Sequence, residues 1–167
     1  VRRVPATLES CQLTHLERHT IDIALARRQH ASYCQALRSA GLQLIELDSD
    51  AALPDCPFVE DLALDLGGGL RVLCRPGSAA RRGERAEVRR VLQELGDVVE
   101  MPSELHCDGG DVLQVGGRIF VGRSTRSDPA AVEWLAAVSG RAVTPVELDG
   151  VLHLKTGVTA LDDRTLL

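Results

Sequence analysis

Apolar and polar positions along this chain follow two periods, and the switches between them mark out its elements. Ile23, Ala26, His30, Tyr33 and Leu37 recur at helical spacing with charges between them. They predict a helix from about residue 21, closed by Gly41 at a C-terminal cap. Residues 42–48 alternate in the manner of a strand, and 50–57 read as a loop. Residues 61–75 read as a strand, a turn at Gly67-Gly68-Gly69 and a second strand. A linker with Arg81 and Arg82 follows, then a helix with Val88, Val91, Leu92 and Leu95 on its apolar face, and a short strand over 98–101.

Fifty residues after Asp61 the pattern returns: a hairpin over 111–123 turning at Gly116-Gly117, a linker with Arg126, a helix around Val132 and Leu135, and a strand over 142–148. Period and order point to ββαβ modules in tandem, an α/β architecture with units at roughly 1–53, 54–101, 105–149 and the start of another at 151–167. The stretch before Pro54 reads as the tail of an earlier copy. A last hairpin is expected to open as a strand at His153, turn at Asp162 and Asp163 and return over 164–167. So short a return strand leaves unpaired backbone, so the segment is expected to be the front part of a longer protein or one half of a cleaved one.

Composition narrows the class. With 44% hydrophobic residues a core is assured, but only Tyr33, Phe58, Phe120 and Trp134 are aromatic, so that core is expected to be aliphatic. The same scarcity, with a net charge of −5, counts against nucleic-acid partners, which favour stacking platforms and a basic excess. No apolar run approaches the roughly 20 residues of a membrane span. The five cysteines, at 11, 34, 56, 74 and 107, include no CxxC pair and are expected to be reduced thiols, as in a cytoplasmic protein.

Chemistry gathers where strands meet loops: Asp55; Glu60 and Asp61; Cys107, Asp108 and Asp111 around Gly109-Gly110; and His153 with Lys155. In a repeat fold these module starts converge. Several carboxylates facing one imidazole suit a cationic substrate, and guanidinium is the planar cation that carboxylates grip in bidentate fashion. Arg81 and Arg126 hold equivalent places in their modules and suit a carboxylate, so the pattern suggests an arginine derivative. Gly67-Gly68-Gly69 sits in a hairpin with no Gly-Lys-Ser/Thr after it, and reads as a tight turn rather than a phosphate cradle. His30 reads as a packed core histidine; His15, His19 and His106 read as loop surface, and no metal ligand set is assigned. Arg82, Arg85, Arg89 and Arg90 read as a solvated face.

The run 55–61, Arg75-Pro76-Gly77 with Arg81-Arg82, Asp108-Gly109-Gly110-Asp111, the run 120–126 and Leu152-His153-Leu154-Lys155 together resemble the dimethylarginine dimethylaminohydrolase family, of the guanidine-modifying, pentein-fold superfamily. The resemblance runs through essentially the whole chain. It implies a fivefold pseudosymmetric α/β propeller, present here as about three modules. It also implies hydrolysis of Nω-methylated arginine to citrulline and a methylamine through a covalent cysteine intermediate, with no cofactor. Carried over by motif, Glu60 and Asp61 would hold the guanidinium, Asp55 would line the pocket, and Arg81 and Arg126 would bind the α-carboxylate. Asp108 would orient His153, the general acid and then base, and Leu13 would cover the mouth. The family's nucleophilic cysteine lies in the fifth module, beyond this segment; Cys56 and Cys107 are read as neighbours of the site, and the segment alone is expected to be inactive. The implied partner is a small-molecule substrate, with homo-oligomerisation left open. An arginine deiminase-like activity and a remnant that only binds arginine-like ligands, or assembles with a partner, are the alternatives.

Overall fold

The computed structural model describes residues 1–14 and 16–167, so the expectation for His15 lies outside the described residues. The chain divides into two units, Val1–Val59 and Glu60–Leu167.

In the first unit a short 3-10 turn, Leu8–Ser10, precedes the helix α1, Ile23–Ser39. Asp22 starts α1 by accepting the Leu25 N–H at 2.9 Å, which satisfies one of the orphan donors of the first turn. Gly41, at φ 84°, follows its C-terminal end as the sequence predicts. The apolar face is weaker than expected. Only Cys34 is fully buried, Tyr33 is 56% exposed, and His30 is half-buried with Nδ1 3.6 Å from Cys34 Sγ. His30 is therefore no core residue. The unit's small core is Val4, Leu8 and Cys11, with Ile21, Ile23 and Ala26 packed against it. The strand expected over 42–48 is reduced to a single parallel bridge between Arg2 and Leu47. Its partner is the stretch 1–3, too short for a ladder: Leu47 accepts from the Arg3 N–H and donates to the Val1 carbonyl, and Leu42 and Ile45 remain exposed.

The second unit begins in the 3-10 turn Val59–Leu62, which leads into β1, Ala63–Asp65. β2, Arg71–Leu73, pairs antiparallel with β1, and β3, Val98–Glu100, pairs parallel with β2. A parallel neighbour requires a crossover. Here it is supplied by a 3-10 turn, Ala79–Glu84, running into the helix α2, Arg85–Leu95. The arrangement then repeats. β4 (Val112–Val115) and β5 (Arg118–Arg123) form a hairpin, the helix α3 (Pro129–Ser139) crosses over, and β6 (Val143–Glu147) pairs parallel with β5. The tandem ββαβ order is thus present twice, in an α/β fold. Gly67, Gly68 and Gly69 all take positive φ (80°, 61° and 84°), the tight turn only glycine makes without cost.

The core of this unit is aliphatic and thiol-rich: Leu64, Val72, Cys74, Val112, Ile119, Val121 and Leu135 are buried, and Trp134 leans on them from the edge. Along α2, Arg85 and Arg89 pair with Glu100, and Arg90 pairs with Glu87 and Glu94. The solvated face expected for Arg82, Arg85, Arg89 and Arg90 holds only for Arg90: the others are half-buried, with Arg85 Nε donating to the Cys74 carbonyl and Arg82 Nε to the Pro76 carbonyl. His153 does not open a strand. It precedes a one-turn helix, α4 (Leu154–Gly157), because the Leu154 N–H is captured by the Asp111 carboxylate and the Thr156 N–H by the His153 carbonyl. Hairpin pairing starts later, at the Ala160–Leu166 bridge.

Candidate active site

Asp108 is the fixed point of the second unit's polar cluster. It is fully buried at the entry to the 3-10 turn Gly109–Asp111, and Oδ1 accepts the Gly77 N–H at 2.9 Å. Its Oδ2 lies 3.1 Å from His153 Nε2. A carboxylate only accepts, so Nε2 carries the proton of that bond and Nδ1 is left for chemistry. Nδ1 is 4.0 Å from Asp61 Oδ1.

Asp61 is held from two sides. The Gly110 N–H donates to Oδ1 at 3.1 Å and Arg81 Nη1 donates to Oδ2 at 2.5 Å. The chain reaches this deep only because residues 109 and 110 are glycine. A Cβ on Gly110 would come within 2.7 Å of both Asp61 Oδ1 and His153 Nδ1, and one on Gly109 would meet the Glu60 carbonyl at 2.1 Å. Arg126 approaches from the loop after β5, with Nη1 4.0 Å from Asp108 Oδ2 and its carbonyl accepting the Asp108 N–H. Glu60 is an exposed carboxylate paired with Lys155, one turn of chain from His153.

The structure therefore brings together Glu60, Asp61, Arg81, Asp108, Arg126 and His153. Asp55 and Leu13 belong to the first unit, where Asp55 is buried and its carboxylate accepts the Gln12 N–H at 3.0 Å, with Leu13 next along the chain and 39% exposed. Arg81 is more enclosed than a rim residue, at 4% exposure, and its guanidinium is shared between Asp61 and Glu84.

The electrostatics follow from burial. For His153, desolvation disfavours the charged ring, but the Asp108 hydrogen bond and the fields of Asp61 and Asp111 outweigh it, so the pKa is raised. Burial also raises Asp111, opposed by hydrogen bonds from Ser124 and Ser127. Cys107 is pushed up to about 12, chiefly by burial, and Cys74 well above its ordinary value for the same reason. Neither thiol is a nucleophile at neutral pH. All five cysteines are buried thiols outside any disulfide.

Among the described residues, donor atoms of Asp61, Asp108 and His153 lie within 4.8 Å of one another, compact enough for a metal ion. Their carboxylates already receive Gly77, Gly110 and Arg81, so a fixed cation is supplied by the chain itself. What the group can do is bind a planar organic cation on carboxylates and move a proton at His153 Nδ1.

Three supporting residues were not singled out by the sequence. Glu84 grips Arg81, while Ser124 and Ser127 anchor Asp111, which in turn fixes the amide after His153. Glu84 stands three residues after Arg81, a helical spacing that pairs opposite charges. The serines carry no comparable signal.

No family model matches the chain. It is 39% identical over 173 residues to the N(G),N(G)-dimethylarginine dimethylaminohydrolase of Streptomyces coelicolor, covering 100% of this chain and 66% of that protein. It is 31% identical over 172 residues to the enzyme of the same name from Pseudomonas aeruginosa, covering 100% of this chain and 67% of that one. The chain thus spans about two thirds of the length of these relatives. The solved structure of the Pseudomonas aeruginosa enzyme, a cysteine-to-serine variant complexed with citrulline, superposes with a TM-score of 0.91 at 30% identity, covering 98% of this chain and 66% of that one.

Proposed function

The chain belongs to the dimethylarginine dimethylaminohydrolase family, and on that premise we propose that it forms the substrate-binding and acid–base part of an amidinohydrolase that converts Nω-methylated arginine to citrulline and a methylamine. The observation that carries the proposal is the buried Asp108–His153 pair facing Asp61 across 4.0 Å, in a fold shared with a citrulline complex.

In this mechanism Asp61, with Glu60 beside it, receives the substrate guanidinium; Asp55 lines the pocket and Leu13 covers its mouth. Arg126 takes the α-carboxylate, which suits Arg over Lys for planar bidentate recognition; Arg81, expected from the sequence to share that role, has Nε and Nη2 on Glu84 and Nη1 on Asp61, and backs the guanidinium-binding carboxylate instead. The thiolate of a cysteine outside these 167 residues attacks the guanidinium carbon. Protonated His153 then gives its proton to the departing methylamine as the C–N bond breaks, leaving a thiouronium. Neutral His153 next takes one proton from water, whose oxygen adds to the same carbon; the C–S bond then breaks to return the thiolate, and the remaining hydroxyl proton passes to solvent as the carbonyl of citrulline forms. A raised His153 pKa favours the charged ring that the first step requires.

The ββαβ units are proposed as successive blades of a propeller that the whole protein closes. Five reduced thiols suit a reducing compartment such as the cytoplasm. Citrulline release from asymmetric dimethylarginine by the complete protein tests the activity, with His153→Ala abolishing it and Asp61→Ala acting mainly on binding. Equal or faster release of citrulline and ammonia from unmethylated arginine would assign a deiminase-like reaction instead. Binding of dimethylarginine without turnover of either substrate would leave the ligand-binding remnant.

A further inference from the structure

Glu84 ends the 3-10 turn before α2 and is 1% exposed, yet none of the steps above uses it. A carboxylate that deep is costly unless it is paired and hydrogen-bonded. Here both of its oxygens are engaged by one guanidinium: Arg81 Nε donates to Oε1 at 3.1 Å and Arg81 Nη2 to Oε2 at 2.9 Å. This fork-to-fork contact defines the plane of the Arg81 guanidinium and leaves Nη1 aimed at Asp61 Oδ2, 2.5 Å away.

The charges matter as much as the geometry. Arg81 alone would neutralise Asp61 and leave it a poor receptor for a second cation. With Glu84 on the far edge, the buried trio keeps a surplus negative charge. That surplus lies on the side facing Gly110 and His153, where the proposed guanidinium must dock.

We propose that Glu84 is a positioning residue for cation binding: it locks the Arg81 guanidinium against Asp61 and offsets its charge, so that Asp61 remains available to a substrate guanidinium. This rests on the amidinohydrolase function above. The chemical class it serves is a substrate carrying a guanidinium cation, and the effect belongs to binding rather than to proton transfer.

The test is a double-mutant cycle on the complete protein with dimethylarginine as substrate. Glu84→Gln keeps the shape and removes the charge. It is expected to raise KM about tenfold, the loss of one charge-assisted hydrogen bond, with kcat changed by less than about threefold. A merely structural role would lower the active fraction, and hence kcat, without moving KM. Placed in an Arg81→Lys background, which cannot make the fork contact, the same change is expected to raise KM by less than about threefold, because it acts through Arg81. Glu84→Asp, which retains the charge, is expected to recover part of the affinity. An unchanged KM in Glu84→Gln, or an equal cost in both backgrounds, overturns the proposal. A crystal structure of Glu84→Gln separates this question from the activity itself. Should the native protein release no citrulline, the amidinohydrolase assignment fails. Arg81 Nη1 withdrawn from Asp61 in the variant would still support the positioning role, and Arg81 undisturbed would overturn it.

Discussion

Gly110→Ala is the sharpest perturbation this site allows, since it adds one methyl group and alters no charge. The glycine is not among those at positive φ, so its backbone accepts alanine and the cost is purely steric. The added carbon would stand 2.7 Å from Asp61 Oδ1 and from His153 Nδ1, and 2.9 Å from His153 Cγ. Ordinary contact begins at 3.4 Å, so each neighbour must retreat by about 0.7 Å. Neither is free to do so. Asp61 is tied to Arg81 and to the Gly110 N–H, and His153 to the fully buried Asp108. Overpacking of this kind costs about 1–3 kcal/mol. At roughly 2–4 °C per kcal/mol for a chain of this size, the melting temperature should fall by about 2–12 °C. The larger effect is on chemistry, because a displacement approaching 1 Å of a proton-transfer group costs about a hundredfold in rate. Initial rates of citrulline formation from dimethylarginine, with thermal melts on the same samples, measure both. A Gly110→Ala protein with native turnover and an unchanged melting temperature would refute the close approach of this loop to His153.

Asp108→Asn should lower the His153 pKa, moving the limb of the pH–rate profile that requires the charged ring to lower pH. The linkage has a definite sign. His153 titrates above its ordinary 6.5 in the fold, so its stabilisation is complete below 6.5 and is lost as pH rises through the raised value. The stability gap between the native protein and Asp108→Asn, measured by urea denaturation, should therefore be wider at about pH 6 than at about pH 9, and a gap that widens with pH would contradict the assignment. Cys107, its thiol pushed up to about 12 by burial, should resist iodoacetamide at neutral pH in the folded protein and react after unfolding, as peptide mapping by mass spectrometry will show. Rapid labelling of the native form would mean the thiol is more acidic and more accessible than its surroundings imply.

The hairpin–helix–strand order of the second unit was legible because each element announces itself locally. Gly67-Gly68-Gly69 and Gly116-Gly117 punctuate two hairpins, and Val88 and Leu135 mark the buried faces of α2 and α3. The readings that failed lacked such local determination. The alternation over 42–48 is a strand pattern, but a strand forms only where a neighbour offers a ladder, and residues 1–3 offer one bridge. Residue 153 and those after it also alternate, yet they coil into a turn because a carboxylate 43 residues earlier in the chain, Asp111, takes the Leu154 amide. His30 sits at the spacing of an apolar face, but spacing does not disclose that only Cys34 on that helix is fully enclosed.

The site divides along the same line. Residue types proposed to serve a substrate are constrained by its chemistry, so Asp61 and His153, with Asp108 behind the ring, stand out as a carboxylate–imidazole set. Those that hold these groups in place are constrained only by their surroundings. Glu84 is one more acid beside a run of arginines in the sequence, and only in the fold does it separate from them: Arg85, Arg89 and Arg90 pair with Glu100, Glu87 and Glu94, while Arg81 turns inward to Glu84 and Asp61. That inward turn sets the sign of the pocket. Asp61, Glu84, Asp108 and Asp111 outnumber Arg81 and Arg126, so the field of the cluster is negative and favours a cation. On the proposed function a substrate guanidinium and the protonated ring share that field, so the arrival of one opposes the other in part. On the proposed function, substrate binding and His153 protonation are therefore coupled, and Asp61, 4.0 Å from His153 Nδ1, is the carboxylate through which the coupling is expected to run.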